Sequence, residues 1–317
     1  MPNDMTNLYQ TKVVPRLYQQ YYQGAFTSFM ENNAIGVDYK GGKYVTMSEM
    51  SVDGLGNYDR NLGFVRGNVT GSKKQYEMTM DRGREFLIDV ADNDETGFLV
   101  SAGSVMSTFQ NEHVIPEIDA YRISKIFSTV NTEKNSNVIT TDIDASKITD
   151  TLADDIATIR DRVGNVPLII MMSGITQKYF GREFLHNLDY VNFARGALNT
   201  KVKSLDGDPF LIIPSSRMKS AYTFYDGVTA GQEAGGFVAA SGAKDIKWII
   251  MPVTAAIAVA KIDKSRVFDP NTYQGAHAWK TDYRVFHDLW MTPKGYNNTI
   301  IRTGNIVTPA ATAAAAE

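Results

Sequence analysis

Alternating apolar and polar positions in the first third of the chain predict a pair of long strands. Residues 43–52, KYVTMSEMSV, are rich in β-branched side chains and nearly alternate. In residues 74–90, Tyr76 and Met78 alternate with polar neighbours, and the same alternation continues to the end of the segment. The intervening residues 53–73 are rich in glycine, asparagine and arginine, as a turn region is. The pattern predicts a long hairpin with a polar tip.

The predicted hairpin needs a partner, because an isolated two-stranded hairpin is only marginally stable in water. We expect it to rest on another part of the chain or on another copy. Its tip region carries four basic residues, Arg60, Arg66, Lys73 and Lys74. They are candidates for binding nucleic acid or the acidic surface of a partner protein. A solvated hairpin end explains them equally well, and the sequence leaves both interpretations open.

A long helix follows the hairpin. The acidic segment DNDETG is a helix-start signal, and apolar residues then recur at steps of three and four from Phe98 to about Val130. Pro116 lies inside this pattern and cannot donate a hydrogen bond to the carbonyl of Glu112. The sequence therefore predicts a kink in the helix at Pro116.

Shorter elements are predicted after the long helix. Residues 146–164 read as a helix that stops at Gly164, and residues 165–174 as a buried strand. Residues 176–191 read as a helix. The segment DGDPFLIIPSS predicts a turn followed by a short strand.

The last third of the chain contains a glycine-rich and alanine-rich stretch, residues 226–245, which predicts a mobile loop. Its candidate flexible positions are Gly231, Gly235 and Gly236. Residues 247–270 predict a mixture of strand and helix, and residues 279–302 predict two strands around a turn at Pro293.

Composition limits the classes of function. The chain has 317 residues, 43% of them hydrophobic and 21% charged, with a net charge of −3 and no cysteine. This composition is globular, excludes disulfide scaffolds and thiolate sites, and argues against a generic basic nucleic-acid coat. No apolar run reaches the length of a membrane span, and the N-terminus lacks the pattern of a signal peptide. We expect cytoplasmic synthesis and no membrane partner.

Motifs of known enzyme chemistry are missing from the sequence. The nearest strings to a phosphate-binding loop and a dinucleotide loop, GVDYKGGKY and GLGNYD, have the wrong glycine spacing. The four histidines are widely dispersed, and none has a second histidine at helical or strand spacing. We therefore expect no catalytic residues, no metal and no cofactor. An unrecognised enzyme on an α/β fold stays open as an alternative.

The order of these elements is similar to that of the major capsid proteins of tailed bacteriophages, which share the Hong Kong 97 phage capsid fold. The run DRGREFLIDVADNDETG, leading into NEHVIPEIDAYRISKI, resembles the end of the extended loop of that family entering its spine helix. NVPLIIMMSGITQKYF, DGDPFLIIPSSRM and TDYRVFHDLWMTPKGYNNTIIR resemble later segments in the same order. The resemblance covers about residues 35–307, and the VIPEIDAYR run is its most specific part.

The resemblance implies an α+β fold of the Hong Kong 97 type, with named regions along the chain. These regions are an N-terminal arm (1–37), an extended β-hairpin loop (38–91), a spine helix with a peripheral domain (92–164), an axial domain (165–275), return strands of the peripheral domain (276–307) and a disordered Ala-rich tail (308–317).

The resemblance also implies a function. The expected protein is a major capsid protein that self-assembles as pentamers and hexamers into an icosahedral or prolate shell around double-stranded DNA. Its expected partners are many copies of itself, a portal, a separate scaffolding protein and DNA held by weak non-specific contact. It is made in the bacterial host cytoplasm and ends in the virion. An encapsulin-like shell that encloses protein cargo is the alternative within the same fold.

Assembly residues are expected on three elements: the hairpin, the long helix and the Gly-rich loop. The loop is expected to reach the five-fold and six-fold axes of the shell. The expected assembly residues are Arg60, Arg66, Lys73, Lys74, Tyr76, Met78, Pro116, Gly231, Gly235 and Gly236. Some relatives cross-link a loop lysine to a neighbouring asparagine, but neither Lys73 nor Lys74 matches that pattern, so no cross-link is expected.

Overall fold

The computed structural model describes residues 24–33, 37–39, 43–61, 63–90, 102–180, 188–195, 198–205 and 207–308. Most of the expected N-terminal arm, the first residues of the expected spine helix and nearly all of the expected disordered tail lie outside these ranges.

The helices begin with one long helix built from three consecutive segments. A π-helical turn, Gln110–Val114, joins the first α-helix to the second, and the three segments together are the long helix. The α-helices of the described residues are α1 (Ala102–Phe109), α2 (Ile115–Glu133), α3 (Ile148–Val163), α4 (Gly174–Gln177) and α5 (Pro293–Asn297).

The strands form two main sheets and a projecting hairpin. They are β1 (Val37–Tyr39), β2 (Tyr44–Val52), β3 (Val69–Glu77), β4 (Met80–Asp89), β5 (Val138–Ile139), β6 (Ile143–Asp144), β7 (Leu168–Ser173), β8 (Asp189–Arg195), β9 (Leu198–Leu205), β10 (Asp208–Ile213), β11 (Tyr222–Phe224), β12 (Phe237–Ala239), β13 (Trp248–Pro252), β14 (Ala256–Phe268), β15 (Ala278–Met291), β16 (Ile300–Arg302) and β17 (Ile306–Val307).

A seven-stranded sheet forms the larger half of the fold, in the order β5-β16-β13-β7-β10-β9-β8. Every residue of β7 is buried, as expected for its unbroken apolar run LIIMMS. Helix α3 is anchored to this sheet by the buried carboxylate of Asp155. That carboxylate accepts hydrogen bonds from Trp248 Nε1 at 3.0 Å and from Arg302 Nε at 2.8 Å. Gly164, with φ of 69°, ends the helix as predicted.

A three-stranded sheet, in the order β14-β15-β4, packs against the long helix. β15 lies at its centre and pairs with β14 over residues 280–291 and with β4 over residues 278–287. Ile123 and Ile126 of the long helix are fully buried, and they share a core with residues of both main sheets. The long helix therefore joins the two halves of the fold.

The segment 24–33 lies on the long helix and is held there by polar contacts. Asp119 is fully buried and accepts hydrogen bonds from the backbone N–H and the hydroxyl of Thr27, at 3.0 and 2.7 Å. Arg217 donates to the same carboxylate at 3.1 Å, and Arg122 forms an ion pair with Glu31. Burial raises the pKa of Asp119, and the bonds from Thr27 and the charge of Arg217 oppose the rise. Thr27, Asp119 and Arg217 thus tie three separate parts of the chain together.

The predicted single strand over residues 74–90 is wrong, because the structure divides it. β3 pairs with β2 in the hairpin, with Val69 opposite Val52 and Glu77 opposite Tyr44. β4 leaves the hairpin and pairs with β15 in the three-stranded sheet. The alternation runs through both strands, and sequence alone gives no sign of the change of partner between them.

Three other predicted elements also differ from the structure. Residues 247–270 contain two strands, β13 and β14, and no helix. In the predicted helix 176–191, α4 ends at Gln177 and β8 begins at Asp189, while residues 181–187 lie outside the described ranges. The predicted pair of strands over 279–302 forms as β15 and β16, but these strands belong to different sheets.

The predicted domain boundaries do not follow the sheets. β14 falls within the predicted axial domain, 165–275, yet it pairs with β15 of the other sheet. β16 falls within the predicted return strands, 276–307, yet it pairs with β13 in the seven-stranded sheet. β5 and α3 fall within 92–164 and also pack with the seven-stranded sheet. The chain passes between the two main sheets several times, so consecutive ranges of residues do not correspond to single sheets.

Candidate functional site

The hairpin formed by β2 and β3 projects a surface that its own subunit leaves uncovered. β3 is the edge strand of the sheet β1-β2-β3, and eight of its nine residues are exposed. Apolar side chains of the tip are also exposed: Leu55 by 108% and Phe64 by 87% of their full area. An exposed edge strand and exposed apolar side chains close together in the chain are both features of surfaces that bind another chain.

The four basic residues lie at two different positions along the length of the hairpin. Arg60 and Arg66 are exposed on the tip itself, between β2 and β3. Lys73 and Lys74 are exposed on β3, opposite Ser48 and Met47 of β2. Because successive strand residues face opposite sides, the two lysines do not share a face. The structure therefore does not bring the four predicted residues into one basic cluster.

Tyr76 and Met78 lie at the root of the hairpin and face their own subunit. Met78 is buried beside Val45, and the ring of Tyr76 lies 5.8 Å from that of Trp290. The expectation that Met78 meets a neighbouring copy is wrong, because its side chain already fills the core beneath the hairpin. Both residues attach the hairpin to the three-stranded sheet.

A buried polar network, absent from the sequence-based expectations, fixes the same root. Thr79, between β3 and β4, donates from its backbone N–H to Asp288 Oδ2 at 2.9 Å and from its hydroxyl at 3.0 Å. Tyr121 of the long helix donates to the other carboxylate oxygen, Oδ1, at 2.7 Å. Burial and the neighbouring charge of Asp288 raise the pKa of Tyr121. The network connects the hairpin root, the long helix and β15.

Pro116 occupies the start of α2, directly after the π-helical turn. In that turn the N–H of Ile115 bonds to the carbonyl of Gln110, five residues back instead of four. A wider turn accommodates a proline inside a helix without ending it. The helix continues on both sides of this turn, and the predicted kink at Pro116 stays a prediction.

The glycine-rich stretch forms a small hairpin between β11 and β12. Gly231, Gly235 and Gly236 all have positive φ, between 69° and 84°, a conformation that favours glycine. The carboxylate of Asp226 accepts three hydrogen bonds inside the turn, from Val228 and Thr229, and they lower its pKa to about 2. The predicted mobile loop is thus a hydrogen-bonded turn.

Two arginines of β4 bind this glycine-rich hairpin. Arg82 forms an ion pair with Glu117 of the long helix and donates to the carbonyl of Tyr225 at 2.7 Å. Arg84 donates to the carbonyl of Glu233 at 3.1 Å. In the subunit the glycine-rich hairpin therefore lies beside the hairpin root, and its position at symmetry axes stays a prediction.

A cleft of about 910 Å³ lies between the long helix, β4, β15 and the glycine-rich hairpin. Apolar side chains line it, including Phe86, Val105 and Phe109. His287 also lines it and is almost wholly buried, and its Nδ1 has no hydrogen-bond partner in the described structure. Burial lowers the pKa of His287 to about 3, so its imidazole is neutral.

The described residues contain no group of three or more His, Asp or Glu side chains placed to hold a metal ion. Within the same ranges, no helix has both the length and the apolar character to cross a membrane. The lining of the cleft includes one buried histidine, His287, and other polar side chains, among them His113, Glu112 and Ser104.

Comparison with known proteins gives matches by structure alone. No family model matches the sequence, and no curated protein matches it. The mature capsid of bacteriophage PhiM1 matches with a TM-score of 0.56 and 11% identity, over 84% of this chain and 83% of that one. The capsid of Staphylococcus phage Andhra matches with a TM-score of 0.53 and 11% identity, over 89% and 84%.

A third solved structure of similar score is a virus-like particle from Pyrococcus furiosus. It has a TM-score of 0.51 and 8% identity, and the match covers 92% of this chain and 98% of that one. Identities this low establish the shared fold and nothing further. The mixed helix-and-sheet architecture predicted from the sequence is confirmed: the chain has the fold of phage major capsid proteins.

Proposed function

We propose that this chain is the major capsid protein of a tailed bacteriophage. It assembles as pentamers and hexamers into an icosahedral or prolate shell that encloses double-stranded DNA. The observation that carries the proposal is the fold, which matches phage capsid subunits over more than four fifths of the chain. The motif VIPEIDAYR, which resembles the spine helix of that family, also supports it, since it lies in the long helix of this chain.

The projecting hairpin provides a surface through which subunits can assemble. Its exposed edge strand and apolar tip lower their free energy when they are buried by a neighbouring subunit. A surface on one subunit that binds a different surface on the next is a head-to-tail interface, and such interfaces close into rings. Each contact can be weak, because many contacts act together in a closed shell.

The proposed partners beyond the subunit itself are a portal, a separate scaffolding protein and the packaged DNA. A net charge of −3 supports confinement of DNA by weak, non-specific contacts, because strong phosphate binding needs an excess of lysine and arginine. The protein is synthesised in the cytoplasm of the bacterial host and is located in the virion.

A second candidate is an encapsulin-like shell that encloses protein cargo. The match to a virus-like particle from Pyrococcus furiosus supports a closed shell without indicating its contents, and it covers nearly the whole of both chains. The two candidates share the subunit fold and differ in the contents of the particle.

To test the proposal, the chain is expressed alone and together with its genomic neighbours. The products are examined by negative-stain electron microscopy and sedimentation velocity. Closed particles, rings or tubes support a shell protein. Nuclease-protected double-stranded DNA in the particles supports the phage capsid, whereas a defined co-purifying protein supports the cargo shell. A chain that stays monomeric or dimeric with every partner overturns both candidates.

A further inference from the structure

We propose that Asp263, Glu31 and Arg122 form a proton-controlled latch, which holds the segment 24–33 on the folded subunit and loosens it as the pH rises. The inference goes beyond the proposed function, because it concerns a single folded subunit and does not depend on assembly or on the contents of a shell. Three observations carry it: the packing of the segment, the positions of the three charged groups, and the number of charges that they place together.

The segment 24–33 is a short piece of chain packed against the long helix and β14. Its 3-10 helix, Ser28–Asn33, packs on β14, and Phe29 and Met30 are fully buried in the core shared with the long helix. Side chains of the long helix attach it: Asp119 accepts a bond from the backbone of Thr27, and Arg122 pairs with Glu31. A segment attached in this way, outside any sheet, is a unit that can open while the rest of the subunit stays folded.

The three charged groups of the latch come from three different elements. Arg122 of the long helix is fully buried and forms an ion pair with Glu31 of the segment. Asp263 lies on β14, the strand on which the segment packs, and accepts a 2.7 Å hydrogen bond from the hydroxyl of Tyr283. The charges of Glu31 and Arg122 both act on Asp263. Two carboxylates therefore share one guanidinium.

When both acids are ionised, the latch holds one negative charge too many for a largely buried site. Burial raises the pKa of Asp263 to about 6, and the charge of Glu31 adds to the rise, while the Tyr283 hydroxyl and Arg122 oppose it. Below that pH Asp263 is neutral, and Glu31 and Arg122 balance each other. Above it Asp263 is charged and repels Glu31, and release of the segment returns both carboxylates to water.

The neighbouring titratable groups do not reverse this direction. Burial lowers the pKa of His287 to about 3, so its imidazole is neutral between pH 5 and 7.5. Burial raises the pKa of Asp119, the second acid beneath the segment, so its ionisation acts in the same direction as that of Asp263. The other charged side chains of β14 are exposed to solvent: Lys261, Lys264 and Arg266.

The latch controls a minor, open state of the subunit. Release of the segment exposes Phe29 and Met30, which are fully buried, so the closed form predominates. The pKa of Asp263 is about 6 in the closed form and returns to about 4 in the open form. The population of the open form therefore rises about tenfold between pH 5 and pH 7.5.

The test labels a thiol that the segment buries, in a chain that has no native cysteine. Ser28→Cys places this thiol at a buried position, and a maleimide dye reaches it when the segment opens. Unassembled full-length subunits are labelled at pH 5, 6 and 7.5, with and without Asp263→Asn. The rate without Asp263→Asn, divided by the rate with it, is expected to rise about tenfold from pH 5 to pH 7.5. The pH dependence of the thiol itself cancels in this ratio.

A matched thiol elsewhere separates local opening from unfolding of the whole subunit. Ser204→Cys replaces a buried serine of β9 in the seven-stranded sheet. Its thiol is expected to react more slowly at pH 7.5 than that of Ser28→Cys. Equal rates at the two positions would show that the segment leaves only when the whole subunit unfolds, which overturns the latch.

Glu31→Gln separates the latch from the simple burial of one acid. Without the charge of Glu31, Arg122 balances Asp263 alone, and the repulsion is absent. In this background the same ratio is expected to change less than about twofold between pH 5 and 7.5. A ratio that is independent of pH in the presence of Glu31, or that changes equally with and without Glu31→Gln, overturns the latch. Neither result bears on the proposed shell function, which electron microscopy of the particles tests separately.

Discussion

The phenolic hydroxyl of Tyr121 donates a 2.7 Å hydrogen bond to Asp288, and the same carboxylate binds Thr79 at the root of the hairpin. The long helix, the central strand β15 and the hairpin therefore meet at one buried acid. Because Asp288 is fully buried, each of its bonds replaces a lost contact with water and is costly to remove. The direction in which the hairpin leaves the subunit is thus set by the fold itself.

We expect Thr79→Val to destabilise the subunit by about 1 to 2 kcal/mol, because it removes the hydroxyl donor to a buried carboxylate. Thr79→Ser keeps the hydroxyl and serves as the matched control. Urea unfolding of the two variants measures the difference in the free energy of unfolding. Equal midpoints for valine and serine would show that the hydroxyl contributes nothing to the root.

The pH dependence of stability should contain a contribution from Asp263. Burial raises its pKa to about 6, above the usual range of an aspartic acid, although the hydroxyl of Tyr283 and the charge of Arg122 oppose the rise. The folded state therefore keeps this proton when the unfolded state has released it. This contribution to stability is fully present below pH 4 and is lost as the pH rises from about 4 to about 6.

Asp263→Asn should remove that loss and raise the free energy of unfolding at pH 7.5 by about 2 kcal/mol relative to the wild-type chain. Glu133→Gln, at an exposed end of the long helix, is the control and should leave the pH profile unchanged. The measurement is urea unfolding between pH 4.5 and 7.5. A wild-type profile that runs parallel to that of Asp263→Asn would contradict the assignment.

Gly304→Ala should be strongly destabilising, by about 3 kcal/mol, because the added Cβ collides with the backbone carbonyl of Thr141. A backbone carbonyl cannot move aside as the end of a flexible side chain can. Gly71→Ala is the matched control on β3, where an added Cβ meets nothing within 4 Å. Thermal melting of both variants checks the prediction, and equal melting temperatures would refute it.

Pro116→Ala should leave the subunit folded, since alanine is accepted in a helix and returns the missing N–H donor. The π-helical turn is then no longer needed to accommodate a proline. Because the long helix joins the two halves of the subunit, we expect the particles to change in diameter. Ser128→Ala, an exposed position on the same helix, is the control. Particle diameters measured by electron microscopy that are identical in all three proteins would show that the turn has no role in shell geometry.

The sequence predicted those elements whose partners are near in the chain or whose pattern is unambiguous. The helix that ends at Gly164 and the buried strand β7 are found where their patterns place them. The change of partner between β3 and β4 could not be predicted, because it depends on Asp288, 209 residues away from Thr79. Alternation identifies a strand but does not identify its neighbour.

The burial of charged residues could not be predicted from the sequence either. Asp119 and Arg122 have the spacing of surface charges on a helix, yet both are fully buried because the segment 24–33 covers them. Met78 is the reverse case. The sequence predicts that it contacts another copy through the hairpin, and the structure places it in the core. The cleft could not be foreseen, since the glycine-rich hairpin on one side of it lies 140 or more residues along the chain from Arg82 and Arg84 of β4.

In the proposed shell, assembly depends on the hairpin of each subunit. The most direct test of this dependence compares the wild-type chain with a variant in which an Asn-Gly turn replaces residues 53–68 and joins Val52 to its strand partner Val69. Electron microscopy should show closed particles, rings or tubes from the wild-type chain and folded, unassembled subunits from the variant. Identical shells from both proteins, or a wild-type chain that never assembles, would contradict the account.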